Sequence, residues 1–375
     1  MIKDKIWLSS PHLSGKESVY VQDALDSNWV APLGPYVNQM EVALATQTNT
    51  KAAALLSSGT AAIHLALRLL KVQQGDVVIC QSFTFSGSAN PILYEKAQPI
   101  FIDSETDTWN MCPIALEHAI LSAIKENNKP KAIIVVHLYG MPAKMDEILA
   151  IATQYQIPVI EDAAEAIGST YKGKACGGLS DFGILSFNGN KLITTSGGGA
   201  LLSNNEPYIT KARFLASQAK DSSPHYEHTE LGFNYRLSNV SAAIGVAQLE
   251  VLEERVAARR HNFDYYKNAL QHIEELTFLE EPEGYFSNRW LSCILVNDKN
   301  NKIDPTKIRL ALEAENIESR PLWKPMHLQP IFKGCMYFGH KVSENLFLKG
   351  LCLPSGSNLS QEDLNRVVLK IKSCL

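Results

Sequence analysis

The sequence predicts an α/β protein with a large, mostly parallel-sheet domain and a smaller C-terminal α+β domain. Three observations carry that expectation. Short apolar runs alternate with helical periods between residues 50 and 200, the pattern of strands joined by crossover helices. A chain of 375 residues exceeds what one core usually organises. Past residue 245 the alternation gives way to a strand with helices around it, so the domains are set at 1–245 and 246–375.

AAALL (Ala52 to Leu56) is a short apolar run and reads as a buried strand, and AAIHLALRLLKV (Ala61 to Val72) has helical spacing. DVVIC (Asp76 to Cys80), KAIIVV (Lys131 to Val136) and PVIED (Pro158 to Asp162) are further strands. MDEILAIATQYQ (Met145 to Gln156) is an amphipathic helix before the last of them. FGILSF (Phe182 to Phe187) and GALLS (Gly199 to Ser203) are two more strands. After Asn239 comes a long helical pattern, SAAIGVAQLEVLEERVAARRHNFDYYKNAL, apolar and small at first and charged later. It reads as a helix leaving one core to join another domain. There RWLSCILV (Arg289 to Val296) is a strand, PTKIRLALEAENI a helix and QEDLNRVVLKIKSCL a closing helix.

Composition excludes several functions. A net charge of −4 and a pI near 6.2 give no reason to expect nucleic acid or an anionic membrane as partner. No apolar run approaches the ~20 residues of a membrane span, and MIKDKIWLSS lacks the apolar stretch of a signal peptide, so a cytoplasmic protein is expected. The seven cysteines are scattered without a CxxC pair and read as reduced thiols. Cys176 lies in a glycine turn and has no activating base beside it in the sequence.

Three segments carry chemistry. SSGTAAIHLAL (Ser57 to Leu67) sets Ser58, Gly59 and Thr60 between a strand and a helix. Free backbone N–H groups there suit a phosphate, although Ser and Thr are also ordinary helix caps. In IEDAAEAIG (Ile160 to Gly168), Asp162 follows an apolar strand at the end where open α/β sheets bind ligands; it could equally cap a helix. GNKLITTSGGG (Gly189 to Gly199) places Lys191 among small residues, and glycines 197 to 199 are expected to let the backbone pass close beneath it. An amine in such a pocket can form a Schiff base. An acid at the strand end can keep a pyridine nitrogen protonated. Phosphate cradle, acid and lysine together meet the needs of pyridoxal 5'-phosphate. HYEH (His225 to His228) offers two histidines without a third ligand and reads as a solvated loop, so no metal is expected.

Across nearly its whole length the chain resembles the DegT/StrS-type sugar aminotransferases, fold-type-I enzymes that use pyridoxal phosphate. The blocks that carry the resemblance are SGTAAIHLAL, SFTFSGSANPI, HLYGMPAKMDEI, EDAAEAIGS, SFNGNKLITTSGGGALL and LGFNYRLSNVSAAIGVAQLE. The resemblance implies that Lys191 is the Schiff-base lysine and Asp162 the partner of the ring nitrogen, these two being the catalytic pair. Ser58, Gly59, Thr60 and Ser186 would hold the phosphate, and Phe85 would stack on the ring. Glu165 stands where the family often has Gln or His, near the cofactor's phenolic oxygen. Asn234 matches an asparagine that reaches the phosphate from the neighbouring subunit, which implies a homodimer with shared active sites. Family members that act as sugar dehydratases carry histidine in place of the lysine, and Lys191 disfavours that branch.

Resemblance further implies L-glutamate as amino donor and a nucleotide-linked keto sugar as acceptor. SSPHLSGKE, HLYGMPAKMDEI and HYEHTELGFNYRLSN look closest to a bacterial subgroup that aminates C4 of UDP-2-acetamido-2,6-dideoxy-hexos-4-ulose toward bacillosamine-type sugars. By that likeness Trp29, Val30 and Ala31 line the substrate site, with Gly59 and Ser186 contributing. RPLWKPMHL (Arg320 to Leu328) would contact the nucleotide side through Trp323 and His327. A 3-keto hexose or 4-keto pentose, a cofactor-binding sugar sensor, and a lysine-dependent lyase or decarboxylase stay open as alternatives.

Overall fold

Runs such as VVICQ and AIIVV are buried along their whole length, as strands covered on both faces must be. A computed structural model describes residues 4–297 and 303–375, so the first three residues of MIKDKIWLSS lie outside it. Helices α1 (Glu17–Asp26) and α2 (Pro35–Thr48) lead into β1 (Ala52–Leu56) and α3 (Gly59–Leu69). There follow β2 (Val77–Gln81), α4 (Ser86–Tyr94), β3 (Gln98–Ile102), α5 (Pro113–Lys125), β4 (Ala132–Val136), α6 (Met145–Tyr155) and β5 (Val159–Asp162). The hairpin β6 (Thr170–Tyr171) and β7 (Lys174–Ala175) precedes β8 (Phe182–Ser186), β9 (Gly199–Ser203) and α7 (Glu206–Ala216).

The chain continues through α8 (Asn239–Leu249), α9 (Leu252–Leu270), β10 (Leu276–Phe278), β11 (Tyr285–Phe286), β12 (Ser292–Val296) and α10 (Pro305–Ala314). It ends with β13 (Arg320–Pro321), β14 (Met336–Phe338), α11 (Val342–Lys349), β15 (Gly350–Leu353) and α12 (Gln361–Lys372).

The large sheet has the order β1-β9-β8-β5-β4-β2-β3-β14. Only β9 runs antiparallel to its neighbours, so the expected mostly parallel sheet is what forms. Helices α3, α4 and α7 cover one face, while α2 with α8 and α5 with α6 cover the two halves of the other. A second, antiparallel sheet, β10-β12-β15-β13, packs against α9, α10 and α12. The divide expected at residues 245 and 246 falls inside α8. Two stretches cross it: Ile6 pairs with Ile317 and joins the core of the smaller sheet, and β14 adds to the edge of the larger one.

The long helix expected after Asn239 is two helices, broken at Glu250 and Val251. The first half is small because it is wedged in: a Cβ on Gly245 would lie 2.3 Å from Met40 Sδ and 2.8 Å from Thr195 Cγ2. Glu250 then takes Lys16 and the Tyr20 hydroxyl as partners, and the chain turns toward the smaller sheet. The sequence reading assigns no element to β3, although QPIFI is buried except at its first residue, nor to α1, α2, α4, α5, α7 and α11.

Candidate active site

The C-terminal ends of parallel strands β2, β5 and β8 meet the N-terminus of α3 around a cavity of about 380 Å³, the place where open sheets of this kind bind ligands. Eight of the nine residues expected at the cofactor line it together: Ser58, Gly59, Thr60, Phe85, Asp162, Glu165, Ser186 and Lys191. Sequence separation between the first and last exceeds a third of the chain, so the sheet order is what brings them to one place.

Ser58 caps α3, its hydroxyl accepting the Ala61 N–H at 3.0 Å. The N–H groups of Gly59 and Thr60 are left without intrahelical acceptors, facing the cavity end of the helix dipole. Space beneath this turn is tight. A Cβ on Gly199 would lie 2.4 Å from Gly59 N, and one on Gly59 would lie 3.3 Å from Ser186 Cβ. The glycine run was expected to clear Lys191. Instead Gly199 clears the Ser58–Gly59 backbone, Gly198 clears Thr195, and Gly197 faces open space.

Asp162 ends β5 and is 5% exposed. Its Oδ2 accepts the Ser88 hydroxyl at 2.7 Å and its Oδ1 the Ala164 N–H at 3.1 Å. Burial raises its carboxyl above the usual range, while these two hydrogen bonds and the charge of Lys191 pull the other way. Thr84 in turn bonds Ser88 at 2.7 Å, so the segment after β2 supplies a hydroxyl relay to the acid.

Lys191 is held by its neighbours on three sides. Its Nζ lies 3.4 Å from Glu165 Oε1 and 4.2 Å from the centroid of the Trp290 ring, a cation–π distance. Trp290 Nε1 donates to Asn190 O at 2.9 Å, and Ser9 donates to the same oxygen at 2.7 Å. The buried guanidinium of Arg259 donates to Trp290 O and to Ser9 Oγ, closing the support beneath the lysine loop. Glu165 also accepts the Tyr139 N–H at 2.7 Å. Burial lifts its carboxyl to about 7 against the opposing charge of Lys191 and that hydrogen bond.

Five expected site residues lie elsewhere. Trp29, Val30 and Ala31 form an exposed loop between α1 and α2, tied down by Asn239, whose Nδ2 donates to Trp29 O and whose N–H donates to Ala31 O. Asn234 is exposed and outside this chain's cavity. His327, expected at the nucleotide, is a bracket instead: Nδ1 meets Ser82 Oγ at 2.7 Å and the ring stacks on Tyr337 at 3.8 Å. Trp323 does line the cavity, 5.7 Å from the Phe85 ring. Thr84, Ser88, Trp290 and Arg320 also line it and were not singled out. The hydroxyls of SFTFSGS were the one available signal.

Among the described residues, His137, Glu161 and Cys176 are the only grouping with metal-ligand spacing. Their atoms are already committed. His137 Nε2 donates to Glu161 at 2.9 Å, His137 Nδ1 accepts the Ala143 N–H, and Glu161 accepts Gly177 and Leu179 N–H groups. Cys176, in its glycine turn, is buried, and burial pushes its thiol well up.

A helix N-terminus with unpaired N–H groups, a buried acid at a strand end and a lysine beside them fit the phosphate, ring nitrogen and aldehyde of pyridoxal phosphate. Comparison with known proteins agrees. Residues 11–372 match the model of the DegT/DnrJ/EryC1/StrS aminotransferase family. The chain is 56% identical over 368 residues to EpsN of Bacillus subtilis (strain 168), described as an inferred pyridoxal phosphate-dependent aminotransferase, with 97% of this chain and 94% of that one covered. It is 37% identical over 354 residues to a GDP-perosamine synthase of Escherichia coli O157:H7, with 94% of each covered. Its fold superposes on the PLP form of a candidate sugar aminotransferase, Spr1654 of Streptococcus pneumoniae, at a TM-score of 0.90 and 26% identity, covering 99% of this chain and 98% of that one.

Proposed function

This chain belongs to the DegT/DnrJ/EryC1/StrS aminotransferase family, and on that footing we propose that it moves an amino group from L-glutamate to C4 of a nucleotide-linked 4-keto-6-deoxy sugar. The acceptor in this reading is UDP-2-acetamido-2,6-dideoxy-hexos-4-ulose, and the product a UDP-linked 4-amino-4,6-dideoxy-N-acetylglucosamine. Its setting is the cytoplasm. The observation that supports the reaction class most directly is the convergence of Lys191, Asp162 and the α3 N-terminus on one cavity.

Bound pyridoxal phosphate supplies an electron sink for negative charge at the donor's α-carbon. In this reading Lys191 Nζ carries the cofactor and, once released, moves the proton from the α-carbon and returns it in the second half-reaction. Asp162, kept in place by Ser88 and Ala164, opposes a positive ring nitrogen. Gly59, Thr60 and Ser186 would hold the phosphate, Phe85 would stack on the ring, and Glu165 would accept or hold a proton on the side facing Lys191. In this reading residues 1–245 supply most of the cofactor-binding domain and 246–375 most of the smaller one, with the end of α8, Ile6 and β14 crossing between them.

We read the site as shared between two copies. Asn234 is the exposed residue offered to the second copy's phosphate, and Trp29, Val30 and Ala31 belong to the same outer face. Apolar exposure is consistent with this: Trp29 is 42% exposed, Leu33 55%, Leu231 67% and Tyr226 82%, side chains that a second copy could cover. Mixing Lys191→Ala with Asn234→Ala chains should restore sites in the mixed dimer that neither parent has, roughly a quarter of all sites at equal mixing. Absence of any restored turnover would remove the shared site.

The deciding experiment charges the purified protein with glutamate, removes the donor and adds the UDP-linked 4-keto sugar, with mass detection of the aminated product. Product, and none from Lys191→Ala of unchanged fold, is the expected result. Product only from the corresponding GDP-linked sugar would keep aminotransfer and replace the acceptor. Failure to release 2-oxoglutarate on charging would end the aminotransferase reading.

A further inference from the structure

Behind the cavity, on the same helix whose N-terminus opens into it, His64 is 6% exposed and fully engaged. Its Nε2 lies 2.7 Å from Glu95 Oε1, and Glu95 also takes Arg68 at 2.9 Å. Burial lowers the pKa of the imidazole, with Glu95 opposing, so the neutral ring donates from Nε2 and accepts the Tyr235 hydroxyl at Nδ1, 3.1 Å away. Phe233 meets the same ring edge-on at 4.9 Å and stacks on Tyr235 at 5.0 Å. None of these groups takes part in the chemistry proposed above.

Phe233 and Tyr235 flank Asn234. The backbone here is extended: Ser217 bridges Asn234, Leu56 bridges Arg236, Phe233 N–H donates to Leu215 O, and Ser57 N–H donates to Tyr235 O. Successive side chains of an extended segment point to opposite sides. Two rings turned inward against His64 therefore send Asn234 outward, where it is exposed. A half-turn slip of this segment would bury the asparagine and expose a ring. What opposes that slip through side chains is the His64–Tyr235 hydrogen bond and the ring contacts, anchored in turn by Glu95 and Arg68.

We propose that His64 is a positioning residue for Asn234: it locks Phe233 and Tyr235 inward so that Asn234 stands ready to contact the cofactor phosphate of a second copy. The inference rests on the shared-site reading. It ties the helix that opens one cavity to the arm that completes the other, so each copy's α3 serves both sites.

The test compares affinity of the apoprotein dimer for pyridoxal phosphate and for pyridoxal, which lacks the phosphate. Variants are Asn234→Ala, His64→Phe and the double variant; Phe keeps a ring in the pocket and leaves Glu95 its Arg68 partner. Asn234→Ala should weaken pyridoxal phosphate binding about tenfold or more, as expected for a lost hydrogen bond to a charged group. His64→Phe should weaken it in the same direction, and the double variant should be no weaker than Asn234→Ala alone. Pyridoxal affinity should not change in any of them, which a general loosening of the fold would not produce. If His64→Phe fails to fold, Tyr235→Phe removes only the hydroxyl and should show the same phosphate-selective loss. Losses that multiply in the double variant, or equal loss for pyridoxal, would overturn the inference while leaving the shared site intact. Unchanged pyridoxal phosphate affinity in a dimeric Asn234→Ala would overturn both.

Discussion

Replacing Glu165 by Gln removes one titrating group while keeping an oxygen for the Tyr139 N–H and a neighbour for Lys191. In the native protein, burial lifts this carboxyl from 4.5 to about 7. The folded state thus holds the proton over a range in which the unfolded chain has released it, so stability from this group is lost as pH rises from 4.5 through about 7. Each pH unit corresponds to about 1.4 kcal/mol, which makes the loss across the window about 3 kcal/mol. The variant lacks this slope. Its stability relative to wild type should therefore improve by about 3 kcal/mol between the acid and alkaline ends of the window, whatever its absolute stability. Urea unfolding of the two apoproteins at matched concentration, followed by far-ultraviolet circular dichroism across the window, measures this difference. A difference that stays flat with pH would refute the raised carboxyl. One that moves the other way would mean that Lys191, not burial, governs the group.

Further tests address the rest of the site. Gly199→Ala puts a methyl group against the Gly59 backbone at 2.4 Å and should cost roughly 2–3 kcal/mol, visible as a lowered Tm; an unchanged Tm would mean that β9 and α3 can separate freely. Asp162→Asn should still bind the cofactor but slow the proton shifts severely, and near-normal single-turnover kinetics would remove Asp162 from its role. Ser88→Ala deletes the 2.7 Å hydrogen bond that favours ionised Asp162. The acid limb of the kcat profile should then move upward, and an unmoved limb would show that Ser88 only fills space.

Much of the site could be read from local patterns because its requirements are local. Ser58, Gly59 and Thr60 are a strand-to-helix turn, Asp162 is the last residue of an apolar strand, and Lys191 sits in a turn between two strands. Such positions are defined by their immediate neighbours in sequence. Ser88 was not legible in this way. It reaches Asp162 across 74 residues, and Trp290 comes to the lysine loop from 100 residues away; only the strand order and the packing of the second sheet make them neighbours. His327 shows the reverse case: within the expected contact segment its ring is engaged by Ser82 and Tyr337 and lies outside the cavity lining.

The amino-acid sequence by itself determined the alternation of strands and helices, the order of cradle, acid and lysine, and the family resemblance that links them to pyridoxal phosphate. Tertiary structure alone decided how each group is tuned. Glu165 has an ordinary carboxyl in the sequence and a raised one in the fold because burial strips it of water. The helical run after Asn239 breaks at Glu250 and Val251, and its second half begins in the same core as the first, through Leu252 and Val256, before Phe263, Tyr266 and Leu270 carry it into the core of the smaller sheet. Asn234 faces outward because the rings on either side of it are held inward by His64. Desolvation and packing depend on what surrounds a residue in space, and no pattern along the chain encodes that surrounding.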